Sequence, residues 1–190
     1  MTIIYLVFIF LIIICIYLYN KSNFTELVFI KSDINNKYYL VQNIKNKEQA
    51  ANLLALIDEN IIKFKNHLNS LQENKKYIEL LNKRLKNTQI YENNDNFKST
   101  SYTYNKGKYL VFCLRSKKNN KLHDINTIMY VVIHELSHIA CPEIGHTDLF
   151  KEIFEFFTKE AININIYQYE NYKINGKEYC GLFISDSIIN

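Results

Sequence analysis

Three of the five histidines of the chain, His134, His138 and His146, fall within thirteen residues. The first two belong to the pentapeptide His134-Glu135-Leu136-Ser137-His138, which is an HExxH pattern. Residues four positions apart lie on the same face of an α-helix, so both imidazoles can reach one ion. Neutral histidine nitrogen binds zinc at about 2.0–2.1 Å. The pattern therefore predicts a zinc site on a helix, with His134 and His138 as ligands.

Glu135 follows the first predicted ligand directly, which places its carboxylate beside the metal, where it can accept a proton from bound water. Bound zinc lowers the pKa of water from 15.7 to about 7 and polarises a carbonyl group. These are the requirements of peptide hydrolysis with Glu135 as general base. The motif thus predicts a zinc metallopeptidase that acts on a protein or peptide substrate. An oxyanion-stabilising side chain is expected among Tyr169, Tyr172 and Tyr179.

The third metal ligand is predicted to be His146. Pro142 ends the metal-binding helix, and Gly145 permits a sharp turn that returns His146 to the ion. Three protein ligands leave the fourth position to water, as catalytic zinc sites require. The two remaining histidines, His67 and His123, are expected to be structural or exposed. The alternative third ligands further along the chain are Asp148, Glu155 and Glu160.

A second interpretation keeps the metal but not the catalysis. A structural zinc site is usually closed by four protein ligands, often thiolates. Cys141 follows His138 closely enough to supply a fourth ligand. The chain would then be a non-catalytic, zinc-stabilised membrane or virion protein. An open coordination position distinguishes the enzyme from this alternative.

The elements that position these residues are predicted from the spacing of apolar residues. Asp124 or Asn126 is expected to cap a helix that begins near Thr127 and carries the HExxH pattern. The apolar residues just before His134 indicate that this metal helix is buried. A second helix is predicted to follow Asp148, which serves as its N-cap.

The chain from residue 23 onward is predicted to be one α+β domain. The elements expected before the metal helix are a strand at 37–42, a long helix capped by Asn46, a helix at about 75–86, a loop at 87–99, and strands at 102–104 and 108–114. The last two strands flank a turn in which Gly107 supplies the positive φ of a hairpin. The segment 109–114 is the candidate for binding a peptide by strand addition. Two short strands are expected around the turn Asn175-Gly176.

Residues 3–19 form an uninterrupted apolar run. As a helix this run covers roughly 26 Å, close to the ~30 Å hydrocarbon core of a bilayer. It is predicted to be a transmembrane helix in contact with lipid. Since the first cationic residue, Lys21, follows the run, the positive-inside rule places the following domain in the cytosol. The expected localisation is therefore that of a single-pass membrane protein with a cytosolic catalytic domain.

The chain has 190 residues, which suits one domain and an anchor. The predicted organisation is an anchor at 1–22 and a zincin-like domain at 23–190, with the metal core at 124–157. The net charge of only +4 gives no indication of nucleic-acid binding, and no oligomeric state is predicted. Beyond the apolar run, an odd number of cysteines without a CxxC pair predicts free thiols in a reducing compartment: Cys113, Cys141 and Cys180.

The segment IMYVVIHELSHIACPEIGHTDLFKEIFEFF, at 128–157, resembles the metal core of the WLM metallopeptidases and of their relatives in large DNA viruses. The family pattern is an apolar run, HELxH, a short loop that ends in a histidine, and an aromatic residue four positions later, here Phe150. The similarity covers roughly residues 105–185 and is strongest in the metal core. It implies a zinc-dependent peptidase fold, with His134, His138 and His146 as ligands and Glu135 as the base.

Overall fold

The computed structural model describes residues 2–21, 26–71, 76–94 and 100–189. Within these ranges the chain is α+β, in agreement with that part of the predicted fold class. The elements in chain order are α1 (Thr2–Lys21), β1 (Leu27–Lys31), β2 (Tyr38–Gln42), α2 (Lys47–Ser70), α3 (Lys76–Arg84), β3 (Gln89–Glu92), β4 (Tyr102–Tyr104), β5 (Tyr109–Phe112), α4 (Ile125–Ala140), α5 (Asp148–Asn163), β6 (Lys177–Tyr179) and β7 (Leu182–Ile184).

Five strands form a mixed sheet in the order β1-β2-β3-β5-β4, while β6 and β7 pair only with each other among the described strands. The β2–β3 and β3–β5 pairs are parallel, and the β1–β2 and β4–β5 pairs are antiparallel. The core lies between this sheet and the helices. Its fully buried members come from every layer and include Val41, Leu54, Phe112, Ile133 and Phe157.

The strand order corrects two predictions. The candidate peptide-binding strand at 109–114 is β5, which pairs with β3 on one side and β4 on the other, so its edges are not free. The edge strand on that side is β4. The predicted loop at 87–99 contains β3, which pairs with β2 on one side and with β5 on the other. Residues 95–99 of this predicted loop lie outside the described residues.

The predicted hairpin around Gly107 is confirmed, since β4 and β5 pair in antiparallel register on either side of it. Gly107 has a φ of 101°, a conformation that residues with a side chain rarely adopt. A Cβ atom there would lie 3.2 Å from a side-chain carbon of Ile139 on α4. The glycine therefore allows the hairpin backbone to pack directly against the metal helix.

Helix α4 is fixed at both ends. The predicted cap Asp124 is confirmed: its carboxylate accepts a hydrogen bond from the Thr127 backbone N–H at 2.9 Å. At the other end, Arg84 of α3 donates to the carbonyl oxygens of Ile139 and Cys141. A cation at a helix C-terminus also complements the helix dipole.

Asn46 is the N-cap residue of α2, as predicted, although its backbone is in the left-handed region and its side chain makes no capping hydrogen bond. Two other predicted details are wrong. The N-cap of α5 is Thr147, whose hydroxyl accepts from the Phe150 N–H, and Asp148 is the first helical residue. The C-terminal strands β6 and β7 both follow the Asn175-Gly176 turn and meet at residues 180–181 instead.

The transmembrane part of the predicted fold is wrong. Helix α1 covers the apolar run, but no helix in the described part of the chain combines the length and the apolar character needed to span a membrane. The predicted anchor at 1–22 and the single-pass localisation with a cytosolic domain are therefore not supported.

The prediction of free thiols is also wrong for two cysteines. Cys113, just after β5, forms a disulfide with Cys180, in the turn between β6 and β7. The pairing could not be read from the sequence because the two residues are 67 positions apart. Cys141 is a free and buried cysteine, as predicted, and Cys15 is free and exposed.

A buried ion pair joins the ends of the central strands. Arg115 donates through Nε to Glu92 at 2.7 Å, and the two side chains are only 2% and 0% exposed. Glu92 also accepts from the Gln42 backbone N–H, while Arg115 donates to the carbonyl oxygens of Lys45 and Asn46. The pair thereby connects β2, β3, the segment after β5 and the start of α2.

Replacing Arg115 by Met should lower the free energy of unfolding by about 3–5 kcal/mol, since it leaves the Glu92 carboxylate buried without its partner. Urea unfolding followed by circular dichroism measures this loss. Lys159→Met, which breaks an ion pair that is half exposed on both sides, is the matched control and should change little. Equal small effects for both variants would show that Glu92 is stabilised by its other contacts.

Candidate functional site

The predicted site residues meet in a cleft of about 640 Å³. Strand β4 and the turn after it form one wall, the loop 143–146 forms the other, and α4 forms the floor. All four predicted site residues line it: His134, Glu135, His138 and His146. The burial of α4, whose apolar residues pack into the core, leaves this polar part of the helix facing the cleft.

The Nε2 atoms of His134, His138 and His146 lie 3.1 Å from one another in all three pairs. The centre of such a triangle is about 1.8 Å from each nitrogen, so an ion slightly off its plane reaches all three at about 2.0–2.1 Å, the zinc–histidine distance. Among the described residues, these three form the group of ligand atoms that could hold a metal ion. The donor set therefore fits zinc.

Burial prepares the histidines to act as ligands. It lowers the pKa of His134 to about 3, with a smaller contribution from the charges of His138 and His146. It also lowers the pKa of His138 to about 4, aided by His146 and Lys106. Both imidazoles are neutral at pH 7, as metal binding requires. Three ring nitrogens at this spacing cannot all form hydrogen bonds with one another. A single cation, by contrast, can accept the lone pairs of all three.

Phe150 packs against the whole triad. Its ring centroid lies 5.1 Å from that of His134, 4.2 Å from that of His138 and 4.8 Å from that of His146. The Phe150 side chain is 2% exposed and lies in the first turn of α5. A second phenylalanine on the same face, Phe154, contacts His134 edge-on at 5.1 Å. Helix α5 thus supplies the apolar backing that fixes the three imidazole rings.

Glu135 lies beside the triad and is 7% exposed. Its Oε2 accepts a hydrogen bond from the Thr103 hydroxyl at 2.9 Å. Burial raises the pKa of Glu135 to about 7, although hydrogen bonds from Thr103 act in the opposite direction. A carboxyl group with this pKa can both take up and release a proton near neutral pH.

Thr103 was not identified from the sequence. Its position between two tyrosines in β4 offers one usable signal: in a strand with alternating faces, the central residue points to the side opposite its neighbours. The register confirms this placement, since Thr103 pairs with the buried Leu110. The partner of the side chain depends on the strand order, which sequence spacing does not reveal.

The structure places the alternative ligands elsewhere. Glu160 pairs with His67 at 2.6 Å and so joins α5 to α2, which gives His67 a structural role. Glu155 and Asp148 pair with lysines on their own helix. The buried Cys141 follows α4 but does not belong to the group of ligand atoms described above.

The three tyrosines considered as oxyanion stabilisers lie outside the lining of this cleft. Tyr172 is 1% exposed and packs against Tyr130, while Tyr169 is 44% exposed. Tyr179 is buried and its hydroxyl lies 2.7 Å from the Ser101 hydroxyl. The cationic residue that lines the cleft is instead Lys106, in the turn after β4.

Sequence comparison places the chain among viral proteins. No family model matches it. It is 47% identical over 178 residues to "Uncharacterized protein R325" of Acanthamoeba polyphaga mimivirus, covering 92% of this chain and 90% of that protein. The chain belongs to the same family as this mimivirus protein. Another relative of this family, "Uncharacterized protein 042R" of Invertebrate iridescent virus 3, is 42% identical over 82 residues, which are 43% of this chain and 50% of that protein.

Among solved structures, the chain resembles Wss1 from Saccharomyces cerevisiae, with a TM-score of 0.51 and 19% identity over 66% of this chain and 87% of that chain. A mutant of the same protein gives a TM-score of 0.52 at 19% identity, covering 66% and 88% of the two chains. At this identity the likeness concerns the fold alone, so the chain shares the metallopeptidase-type fold of Wss1.

Replacing Phe150 by Ala should weaken Zn²⁺ binding about tenfold to a hundredfold, as the loss of groups that orient metal ligands commonly does. The reason is that all three imidazoles lose the ring on which they pack. Competition titration with a chromophoric chelator measures the affinity.

The matched control is Phe157→Ala, which removes a fully buried ring from the same helix. It should destabilise the fold to a similar degree, by about 3–5 kcal/mol, without changing the affinity. Equal loss of affinity in both variants would indicate general destabilisation instead of ligand orientation.

Proposed function

We propose that residues 23–190 form a zinc-dependent metallopeptidase domain that hydrolyses peptide bonds, with His134, His138 and His146 as ligands and Glu135 as general base. One observation carries the proposal: three imidazole nitrogens converge within a cleft next to a buried carboxyl group. The metallopeptidase-type fold and the HExxH sequence support it.

Zinc held by the three histidines would supply a Lewis acid that polarises the substrate carbonyl and lowers the pKa of water to about 7. Glu135 removes the proton from the attacking water and delivers it to the departing amine, a cycle that suits its pKa of about 7. Thr103 holds the carboxylate in place through its hydroxyl. The buried surroundings of Glu135 limit competition from bulk water and strengthen these interactions.

The edge strand β4 provides a place for the substrate backbone. Its inner edge pairs with β5, and it lines the cleft on the side facing the histidines. An extended peptide can add to the outer edge through main-chain hydrogen bonds, which recognise a peptide with little dependence on its side chains. Lys106 on one wall and Glu143 on the other then contact charged groups of the substrate.

Glu135→Gln should retain zinc but lower peptide cleavage by about 100-fold to 10,000-fold, the usual contribution of general acid–base catalysis. The amide keeps the shape of the side chain and cannot take up the proton. Cleavage of a peptide library followed by mass spectrometry, beside metal analysis, measures both quantities. Glu152→Gln changes an exposed carboxylate of α5 that does not line the cleft, and it serves as the control that keeps cleavage. Cleavage that survives in Glu135→Gln would exclude this residue as the base.

The wild-type chain should contain one zinc ion per molecule, and His146→Ala should weaken binding by about 100-fold or more, since even groups that only orient ligands contribute 10-fold to 100-fold. Metal analysis after dialysis against a chelator provides the measurement. His67→Gln, which alters a histidine outside the triad, should keep the metal. Full zinc retention in His146→Ala would assign the third ligand elsewhere, and absence of zinc from the wild type would refute the proposed function.

A further inference from the structure

The C-terminal hairpin of β6 and β7 lies against the back of the active site and is fastened there by the Cys113–Cys180 disulfide. A two-stranded hairpin has little stability of its own in water. Its non-covalent attachments include the pairs of Lys177 with Glu170 at 2.8 Å and with Asp124 at 3.7 Å, and the contacts of Tyr179 and Cys180 described below. The disulfide is the covalent link between this hairpin and the main sheet.

Tyr179 precedes the disulfide-bonded Cys180 and reaches the wall of the cleft. The side chain is 3% exposed, and its hydroxyl lies 2.7 Å from the Ser101 hydroxyl. The Ser101 oxygen also accepts the backbone N–H of Cys113 at 3.0 Å. The Ser101 hydroxyl thus contacts both Tyr179, the residue before Cys180, and the backbone of Cys113.

Ser101 is two residues before Thr103, the residue that donates to Glu135. Ser101 lies in the bend just before β4, so one residue of backbone, Tyr102, separates it from Thr103. Burial raises the pKa of Tyr179, the hydrogen bond with Ser101 lowers it, and the charge of the Glu135 carboxylate raises it. The path from the disulfide to Glu135 therefore runs through the Tyr179–Ser101 hydrogen bond, the backbone from Ser101 to Thr103, and the Thr103–Glu135 hydrogen bond.

From this path we infer that Tyr179 is a positioning residue for Glu135, and that the Cys113–Cys180 disulfide is a redox-sensitive tether that holds Tyr179 against β4. The inference rests on the proposed peptidase function and names a regulation of the same site. While the disulfide is intact, the hairpin supports β4 and the Thr103 hydroxyl donates its hydrogen bond to the Glu135 carboxylate. With the disulfide open, the hairpin loosens, Tyr179 leaves Ser101, and the base loses its fixed geometry.

The chemistry of the switch needs a dithiol reductant. Its two thiols give up two electrons and two protons, the Cys113–Cys180 S–S bond breaks into two thiols, and the reductant closes into its own disulfide. The surroundings suit both states. The Arg115 carbonyl oxygen lies 3.4 Å from the Cys113 sulfur and 3.3 Å from the Cys180 sulfur. It can therefore accept hydrogen bonds from the thiol groups that form on reduction.

His123 favours the return of the disulfide. Its Nε2 accepts the Cys180 N–H at 3.2 Å and lies 3.4 Å from the Cys180 sulfur. A neighbouring imidazole promotes formation of the thiolate, which is the reactive form in thiol–disulfide exchange. His123 therefore has a specific place in this arrangement that sequence spacing alone did not indicate.

The test compares peptide cleavage by the oxidised chain, by the chain reduced with a phosphine, and by two variants. Reduction should lower kcat about tenfold or more with little change in KM, since a shift of about 1 Å in a catalytic group can cost 100-fold. Tyr179→Phe, which removes only the hydroxyl, should lower kcat similarly in the oxidised chain. Cys113→Ser/Cys180→Ser should be slow and insensitive to reductant, and Cys141→Ser, which keeps the disulfide, should behave as the wild type.

Zinc content and unfolding temperature are measured on every sample, because the loss of a disulfide also destabilises a fold. Unchanged kcat on reduction and in Tyr179→Phe would overturn the inference. So would a loss of activity that only follows loss of zinc or unfolding at the assay temperature.

A second readout does not require activity and separates this inference from the proposed function. Amide hydrogen exchange at residues 102–104 and 113 should accelerate when the folded, zinc-loaded chain is reduced, since these amides lose the support of the hairpin. Acceleration supports the tether even if no peptide is cleaved. Unchanged exchange overturns it even if Glu135→Gln proves that the chain is a peptidase.

Discussion

The main constraint on this structure is that three imidazole nitrogens must be held 3.1 Å from one another. Nitrogens that converge so closely cannot all be satisfied by hydrogen bonds to one another, so the fold must maintain their arrangement. Helix α4 supplies two of them by its own periodicity. The turn after α4 supplies the third, and Phe150 fills the space behind all three rings.

The surroundings of α4 explain why it can carry this group. Asp124 caps its beginning, Arg84 binds its last carbonyl oxygens, and Gly107 lets the β4–β5 hairpin approach its side. These contacts leave the helix little freedom to shift. The same approach of the hairpin brings Thr103 to Glu135, so the packing that fixes the three histidines also fixes the carboxylate.

The parts of the site that the sequence could predict are local. The HExxH spacing, the cap at Asp124 and the turn before His146 depend on residues within one or two helical turns of one another, where periodicity is a sufficient guide. The α+β class and the β4–β5 hairpin followed from similar local patterns.

The parts that it could not predict are non-local. Thr103, Arg84, the His67–Glu160 pair and the disulfide depend on which strands are neighbours and how helices cross, and a single sequence does not encode these facts at short range. For the apolar run at 3–19, a local pattern led to a wrong prediction. There, composition alone predicted a transmembrane helix, whereas the described part of the chain contains no helix suited to that role.

The location of these groups along the chain also bears on the order in which the site can assemble. The three histidines of the site lie within thirteen residues, so only a short loop must close to bring them together, and loops of this size close rapidly. Thr103 comes from a distant segment and reaches Glu135 only after the parallel strands have paired, and Tyr179 reaches Ser101 only after the hairpin has docked. These are slow steps of high contact order. In the proposed metallopeptidase, the three histidines would therefore come together before Glu135 is correctly oriented. An incompletely folded molecule would lack the oriented base that peptide cleavage requires.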